Sequence, residues 1–387
     1  MPLPVCAGID LRPLLSATLI VRNEESFLAG CLASLQGLAD EIVVVDTGSV
    51  DTTCAIARAY GARLYEFPWR DDFAAARNFA LDRASGDWIL YIDADERIRP
   101  FDRATLAGEL AAHGLCAATL RFHPQTGFTA YRELRLFQRR ADIRFEGEIH
   151  ETVVPSLDRL VGEQSAVIGH SGLTIDHLGY DGGTVRKHAR DLPLLQRRVK
   201  VDPDRAYLWW HLGTIHREAG RLVEAERAWL SGIEAARRVP RRLAEQSLCF
   251  VELAKHRLIE GRNREALEVI GEARARQGDN FLLDCLEARA LTALQRCDEA
   301  FALFEKLARI DADALVDNFA YDSSIFGAGA LAEAGLALFR LGRYGESAAW
   351  YGRAQALSPG NLQIRAKQQL ALARSLKPDS DMHRHSS

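Results

Sequence analysis

Over its first third the chain alternates short apolar runs with stretches in which apolar positions recur at helical spacing. The apolar runs fall at residues 14–21, 41–45, 63–67 and 88–92, and the helical stretches at 24–35, 51–60 and 73–84. Strands and helices in strict alternation predict a parallel sheet joined by crossover helices. Gly61 is placed to end the second helix as a left-handed cap, and Gly86 stands where the third must stop. A helix at 101–113 then leads into β-like segments at 117–122, 131–138, 143–154 and 166–177. From Asp181 the pattern turns helical and stays so to Leu376.

Within the helical part small residues recur where paired helices must approach closely. Trp209, Leu212, Gly213, Ala225 and Trp229 fit tetratricopeptide spacing, as do Leu253, Ala254, Ala266 and Ala273. Ala334, Gly335, Gly342, Tyr344, Ala354 and Pro359 repeat it, and Ala288, Ala300 and Phe304 make a poorer copy. These residues are expected to pack a solenoid core. Residues 311–329 break the period and are read as an insertion loop, and 377–387 as a polar, frayed tail. The expected organisation is an α/β nucleotide-binding domain over 14–180, a linker helix at 181–203 and an all-α repeat domain over 204–376.

Length and composition add bounds. At 387 residues the chain exceeds one ordinary domain, and 48% hydrophobic with 26% charged residues is the make-up of a globular protein. The net charge of −4 gives no electrostatic reason to expect nucleic acid as the partner, although Arg132, Arg135, Arg139 and Arg140 form a local basic cluster. The 7 cysteines include no CxxC pair, so neither a zinc site nor a disulfide framework is indicated, and they read as buried thiols in a reducing compartment. No apolar run approaches the length of a membrane span. A cytoplasmic location is expected, with peripheral contact at the inner membrane face left open.

The candidate chemistry sits where strands end. Ligands of open α/β sheets bind beyond the carboxyl ends of the strands, so Arg22-Asn23-Glu24, Asp46-Thr47-Gly48-Ser49 and Asp93-Ala94-Asp95 are expected to share one crevice. Asp93 and Asp95, converging at a strand end, offer the hard oxygens that Mg²⁺ or Mn²⁺ takes together with substrate phosphates. Such a pair also suits a helix cap or a solvated loop, and its place after a buried strand argues for the cation. Asp51 suits an N-cap and Gly48 a tight turn, which leaves Asp46 either to accept an N–H from a base or to serve a structural role. Arg77 has the planar fork that fits a pyrophosphate, though on spacing alone an exposed helical position serves equally. In the segment that includes Glu146, Glu148, His150 and Glu151, either His150 or Glu151 can act as general base. If extended, neighbouring residues point to opposite sides, so only one faces a given pocket. His177 is either a nitrogen ligand to the metal or a structural histidine, and His170 has the same plain alternative.

The motifs Leu19-Ile20-Val21-Arg22-Asn23-Glu24-Glu25, Val45-Asp46-Thr47-Gly48-Ser49, Asp72-Phe73-Ala74-Ala75-Ala76-Arg77-Asn78 and Tyr91-Ile92-Asp93-Ala94-Asp95-Glu96 resemble those of family-2 glycosyltransferases with a GT-A fold. The resemblance spans about residues 14–180. Within that family the chain is similar to bacterial enzymes whose catalytic domain is followed by tetratricopeptide repeats. Gly147-Glu148-Ile149-His150-Glu151 and His177-Leu178-Gly179-Tyr180 resemble motifs of this subgroup. The resemblance implies a metal-dependent inverting transfer of a sugar from a nucleotide donor, usually a UDP-sugar, to a peptide, a protein or a lipopolysaccharide-core acceptor. It implies that Asp46 binds the base with Arg22 and Glu24 on the rim, and that Arg77 approaches the diphosphate. Asp93 would take the ribose or metal, Asp95 the Mn²⁺ or Mg²⁺, and Glu151 the role of base. Val50 departs from the family's usual Thr, which bears on helix entry more than on chemistry.

Two further readings stand beside this one. The repeats offer a surface for homo-oligomers in the transferase reading; one alternative is a helical-repeat interaction protein whose first domain binds a nucleotide sugar without turnover. The other is a sugar nucleotidyltransferase, which calls for a Gly-rich basic loop after the first strand, and Arg22-Asn23-Glu24-Glu25 is not one.

Overall fold

The computed structural model describes residues 14–124, 127–164, 166–179, 184–239 and 244–376. The expected tail at 377–387, together with Cys6 and Tyr180, lies outside the described residues. The chain divides into two compact units, Met1–Gln125 with Tyr131–Leu194, and Thr126–Ala130 with Leu195–Ser387.

The first unit is built on a mixed sheet. Its strands are β1 (Leu15–Val21), β2 (Glu41–Asp46), β3 (Arg63–Glu66), β4 (Trp88–Tyr91), β5 (Glu96–Ile98), β6 (Leu115–His123), β7 (Ala130–Gln138) and β8 (Val167–His177), in the order β3-β2-β1-β4-β7-β6-β8-β5. Strands β1 to β4 run parallel, and β7 lies antiparallel against β4. Helices α1 (Leu28–Leu35), α2 (Thr53–Ala59), α3 (Phe73–Arg83), α4 (Arg103–Leu110) and α5 (Val154–Gln164) cover its two faces. Leu28, Leu32, Ala57 and Leu106 pack with Leu15, Leu19 and Val44 on one side. Ala74, Ala80, Leu157 and Leu160 pack with Val43, Val45 and Ile89 on the other. Burial on both faces explains why these strands read as continuous apolar runs and not as alternating ones.

Four local features depart from expectation. The segment 143–154 is not a strand: Gly147 (φ 107°) and His150 (φ 53°) turn it into a loop. Only Glu146 and Thr152 pair across that loop, by N–H···O bonds of 2.9 and 3.1 Å. Its buried Ile143, Phe145, Ile149 and Val153 are anchors whose spacing imitates a strand. Helix α5, which follows it, was not foreseen. The first helix starts at Leu28 and not at residue 24, because the Glu24 carbonyl accepts from the amides of Phe27 and Leu28 in a preceding turn, leaving the Glu24 side chain outside the helix. The short strand β5 was also missed, being only 3 residues long.

Helix α6 (Thr184–Val201) connects to the second unit, which pairs α7 (Ala206–Glu218) with α8 (Leu222–Arg238), α9 (Leu248–Ile259) with α10 (Asn263–Gln277), α11 (Phe281–Ala293) with α12 (Cys297–Ala308) and α13 (Gly327–Arg340) with α14 (Tyr344–Leu357), before α15 (Leu362–Ser375). The small residues found by periodicity, Ala225, Ala254, Ala266, Ala273, Ala288, Ala300, Ala334 and Ala354, are all fully buried. The period-breaking stretch before α13 does form a connection, but it buries Tyr321, Ile325 and Phe326 in the core shared with Cys285 and Ala288. Cys31, Cys116, Cys249, Cys285 and Cys297 are buried free thiols, and Cys54 is half-buried. No described helix is long and apolar enough to cross a membrane.

Close approach in the first pair makes one stability prediction. A Cβ on Gly213 would stand 2.3 Å from the Trp229 indole nitrogen, and Trp229 is fully buried. Gly213→Ala is expected to lower unfolding stability by about 1–3 kcal/mol through overpacking, read from the urea midpoint of the helical transition. An unchanged midpoint refutes this account of the small-residue pattern.

Candidate active site

The parallel register brings the predicted clusters to one edge. Val21 pairs with Asp46, and Thr18 with Tyr91, so the residues following β1, β2 and β4 emerge side by side. The first loop is fixed to the second by Asn23, whose amide donates to Ser49 Oγ (2.9 Å) and whose Oδ1 accepts from the Val50 amide (2.9 Å). Asn23 has φ 56°, a left-handed conformation that asparagine tolerates better than most side chains. Val50 is almost fully exposed, and α2 begins only at Thr53, in keeping with a delayed helix entry.

At the centre lies Arg77, delivered by α3, whose N-cap Asp72 accepts from the Ala75 amide (2.9 Å). Its Nη2 donates to Asp93 Oδ1 (2.8 Å) and its Nε to Glu151 Oε1 (2.5 Å). Arg77 is therefore a buried residue and not an exposed helical one. Asp93 also lies 3.8 Å from Nη1 of Arg135, which pairs in turn with Glu96 (2.7 Å) and Glu133 (3.3 Å). The Tyr91 ring lies beside both guanidiniums, 5.1 Å from Arg77 and 4.7 Å from Arg135. Burial opposes ionisation of Asp93, yet Arg77 and Arg135 prevail and hold it down at about 2. Glu96 goes the other way: burial, with Asp93 and Glu133 nearby, pushes it up to about 8 against the pull of Arg135.

Asp95 meets a different set of groups. His177 Nε2 lies 3.2 Å from Asp95 Oδ2, and the Leu178 amide donates to the Asp95 carbonyl (2.9 Å). The Gly179 backbone presses on the same carboxylate, since a Cβ there would fall 1.7 Å from Oδ2. The β5–β8 pairing, in which Glu96 stands opposite His177, sets this juxtaposition. Burial first, then the charges of Asp95, Asp93 and Asp51, push Glu24 up to about 7, so the space beside Asp95 is acidic.

The remaining predicted residues lie on the same edge with different employments. Both oxygens of Asp46 accept backbone N–H groups of its own turn, from Gly48 (3.0 Å) and Ser49 (3.0 and 3.2 Å), and the residue is buried. A structural account thus does explain Asp46, contrary to the sequence argument. Arg22 is exposed and has no ion-pair partner among the described residues. His150 sits in the loop beside Glu151, half-buried and left-handed. His170 Nδ1 is 2.7 Å from Thr119 Oγ1, the plain structural contact allowed for it.

Among the described residues no three His, Cys, Asp or Glu side chains are gathered as a preassembled metal cage. The donor set nevertheless suits Mg²⁺ or Mn²⁺, which are commonly held by one or two protein carboxylates with substrate phosphates completing the shell. Even with Glu24 and Glu96 pushed up, the carboxylates of Asp93, Asp95, Glu133 and Glu151 outnumber the guanidiniums of Arg77 and Arg135.

Comparison with known proteins now bears on this edge. Residues 16–156 match the model of glycosyl transferase family 2. Over that stretch the chain is similar to family 2 glycosyltransferases. Its helical unit matches a tetratricopeptide repeat model at 189–240 and 325–361. A tetratricopeptide-repeat-containing protein of Synechococcus elongatus is 38% identical over 236 residues, 58% of this chain and 58% of that protein. The lipopolysaccharide core biosynthesis glycosyltransferase LpsC of Rhizobium meliloti is 36% identical over 156 residues, 36% of this chain and 57% of LpsC. The chain thus matches under two thirds of the length of either relative. The solved glucosyl-3-phosphoglycerate synthase of Mycobacterium tuberculosis is similar over 47% of this chain and 78% of that one, at 18% identity and a TM-score of 0.35, a likeness too slight to carry an argument.

Sequence reasoning gave no site role to Glu96, Glu133 or Gly179 and read Arg135 as one of a basic cluster able to meet phosphates. The missed signal was Arg135 itself, a cation between Leu134 and Leu136 in a buried strand, which requires buried anions nearby. Removing Arg77 leaves Asp93 and Glu151 without their shared partner. Arg77→Met is expected to destabilise the first unit by about 3–5 kcal/mol, measured by chemical denaturation, because a buried ion pair loses one member. A loss below about 1 kcal/mol would contradict the central place given to Arg77.

Proposed function

We propose that this chain transfers a sugar from a nucleoside diphosphate donor, with a uridine diphosphate sugar as the class to test first, to a saccharide hydroxyl, with inversion at the anomeric carbon. The observation behind this reading is that Arg77 joins Asp93, at the end of β4, to Glu151, in a distant loop, while Asp95, two residues after Asp93, faces His177. The family 2 match supports the reaction class, and the relative named for lipopolysaccharide core biosynthesis supports a saccharide acceptor.

In this reading Glu151 is the general base. Arg77 holds its Oε1 and so fixes the carboxylate plane, leaving Oε2 to take the acceptor hydroxyl's proton. Glu151 is preferred to His150 because it shares Arg77 with Asp93. Asp95 and His177 would hold Mn²⁺ or Mg²⁺, which when bound neutralises charge on the departing diphosphate. Asp93 offers its exposed side to a donor hydroxyl, and Arg22 is free to meet donor phosphate.

Donor hydrolysis and transfer, measured with and without Mn²⁺ across a set of nucleotide sugars, test the proposal. Asp95→Ala is expected to abolish metal-dependent turnover while the circular dichroism and melting profile persist, as a strand-end group is not a core residue. Glu151→Gln is expected to lower kcat by about 100-fold or more with nucleotide affinity nearly unchanged. Wild-type turnover in the Asp95 variant removes the metal assignment, and a wild-type protein that binds donors but consumes none under any acceptor condition removes the transferase reading.

A further inference from the structure

The buried side of Asp93 raises a question that the proposed chemistry leaves open. Its side chain is 39% exposed, while the side chains of Arg77 and Arg135 behind it are 9% and 6% exposed. The carboxylate is therefore the accessible face of a buried ionic cluster. Arg77 approaches it with a hydrogen bond to Oδ1, whereas Arg135 faces Oδ2 from 3.8 Å, too far for one. Among the described residues neither Nε nor Nη1 of Arg135 has a hydrogen-bond partner, while its Nη2 donates to Glu96 (2.7 Å) and lies 3.3 Å from Glu133. Glu96 in turn accepts the Asp93 amide through Oε2 (2.9 Å). Arg135 and Glu96 thus grip both the side chain and the main chain of Asp93. A fully buried arginine placed only for stability would be expected to have its donors satisfied, because an unmet donor in the interior costs free energy.

We infer that Arg135 is a positioning residue that acts through Asp93: with Arg77 it holds the Asp93 carboxylate toward the crevice as a hydrogen-bond acceptor for the donor and keeps it off the cation, which is left to Asp95. This rests on the transferase reading above and adds to it a division of labour inside the acidic pair, set from strand β7. Arg77 and Arg135 lie beside the one Tyr91 ring, whose hydroxyl donates to the Leu134 carbonyl (2.8 Å), so the two cations are held at a fixed separation. The carboxylate they hold is consequently aimed by the sheet and not by the loop that follows it.

A double-mutant cycle tests this in the full chain. Asp93→Asn, Arg135→Lys and the two combined are compared by kcat/KM for donor hydrolysis and by titration of uridine diphosphate in the presence of Mn²⁺. If Arg135 acts through Asp93, each single change costs about 30- to 100-fold in kcat/KM and the double change costs no more than the larger single one. Losses that multiply, to about 1,000-fold or beyond, overturn the inference. Because Arg135→Lys risks misfolding, Arg135→Met with Glu96→Gln removes the buried pair in balance, and the same non-additivity with Asp93→Asn is expected. Mn²⁺ affinity supplies a second measurement: Asp93→Asn should leave it within about threefold and Asp95→Asn should weaken it at least about tenfold. Equal weakening by both shows that Asp93 is a ligand and overturns the division. A wild-type protein that neither binds nor hydrolyses any donor defeats the transferase reading and this inference together, whereas multiplicative losses in an active protein defeat this one only.

Discussion

A guanidinium buried between two carboxylates from distant parts of the sequence is the constraint on which the first unit turns. Arg77 comes from α3, Asp93 from the end of β4 and Glu151 from the loop before α5, and the ion pairs close only when all three segments have packed. Charges withdrawn from water at such a point are costly to leave unmatched, so the geometry admits little slack. The loop holding Glu151 has no ladder to support it beyond the Glu146–Thr152 bridge, and Arg77 together with the buried Phe145 and Ile149 does for it what a sheet does for a strand. Asn78, one residue after Arg77, adds to this: its side chain donates to the Phe145 carbonyl and accepts from the Phe145 amide, each at 2.9 Å. One turn of helix therefore sets both the charge and the backbone of the opposite wall.

Much of this was legible in the sequence, for identifiable reasons. Strands β1, β2 and β4 are buried on both faces, so their apolar runs are unbroken and hard to mistake, and the polar residues after them mark the crevice. The helical pairs were legible because close packing admits only small side chains at Gly213, Ala254 or Ala334. What failed was local. The anchors Ile143, Phe145, Ile149 and Val153 gave strand-like spacing, while the left-handed residues Gly147 and His150 decided the path. The structural role of Asp46 was missed, since its carboxylate accepts the amides of the turn that follows it. Pairings across tens of residues, such as Glu96 with Arg135, have no sequence period to betray them.

The acidic pair illustrates how neighbours one residue apart acquire different roles. Asp93 and Asp95 have the same side chain and nearly the same position, yet one faces two guanidiniums and the other a histidine and a glycine backbone. Their intrinsic chemistry is identical, so the difference in electrostatic surroundings is the whole of the difference between them. The repeats in the second unit are of another kind, with helix after helix meeting through alanine and glycine. Errors of packing there act locally, whereas at the sheet edge they are shared by every member of the ionic cluster.

The pairing of Glu96 with His177 has a consequence for how this site tolerates change in length. Antiparallel β5 and β8 work as a ruler, and the mark at which His177 stops is opposite the residue that follows Asp95. A strand slipped by one residue would present Asp176, now bonded to Arg99, in place of the imidazole, and a histidine–carboxylate contact would become a clash of like charges. The loops around the crevice can lengthen or shorten without touching this measure. Insertion or deletion inside either of the two strands cannot, and it is there that the protein has least freedom to vary.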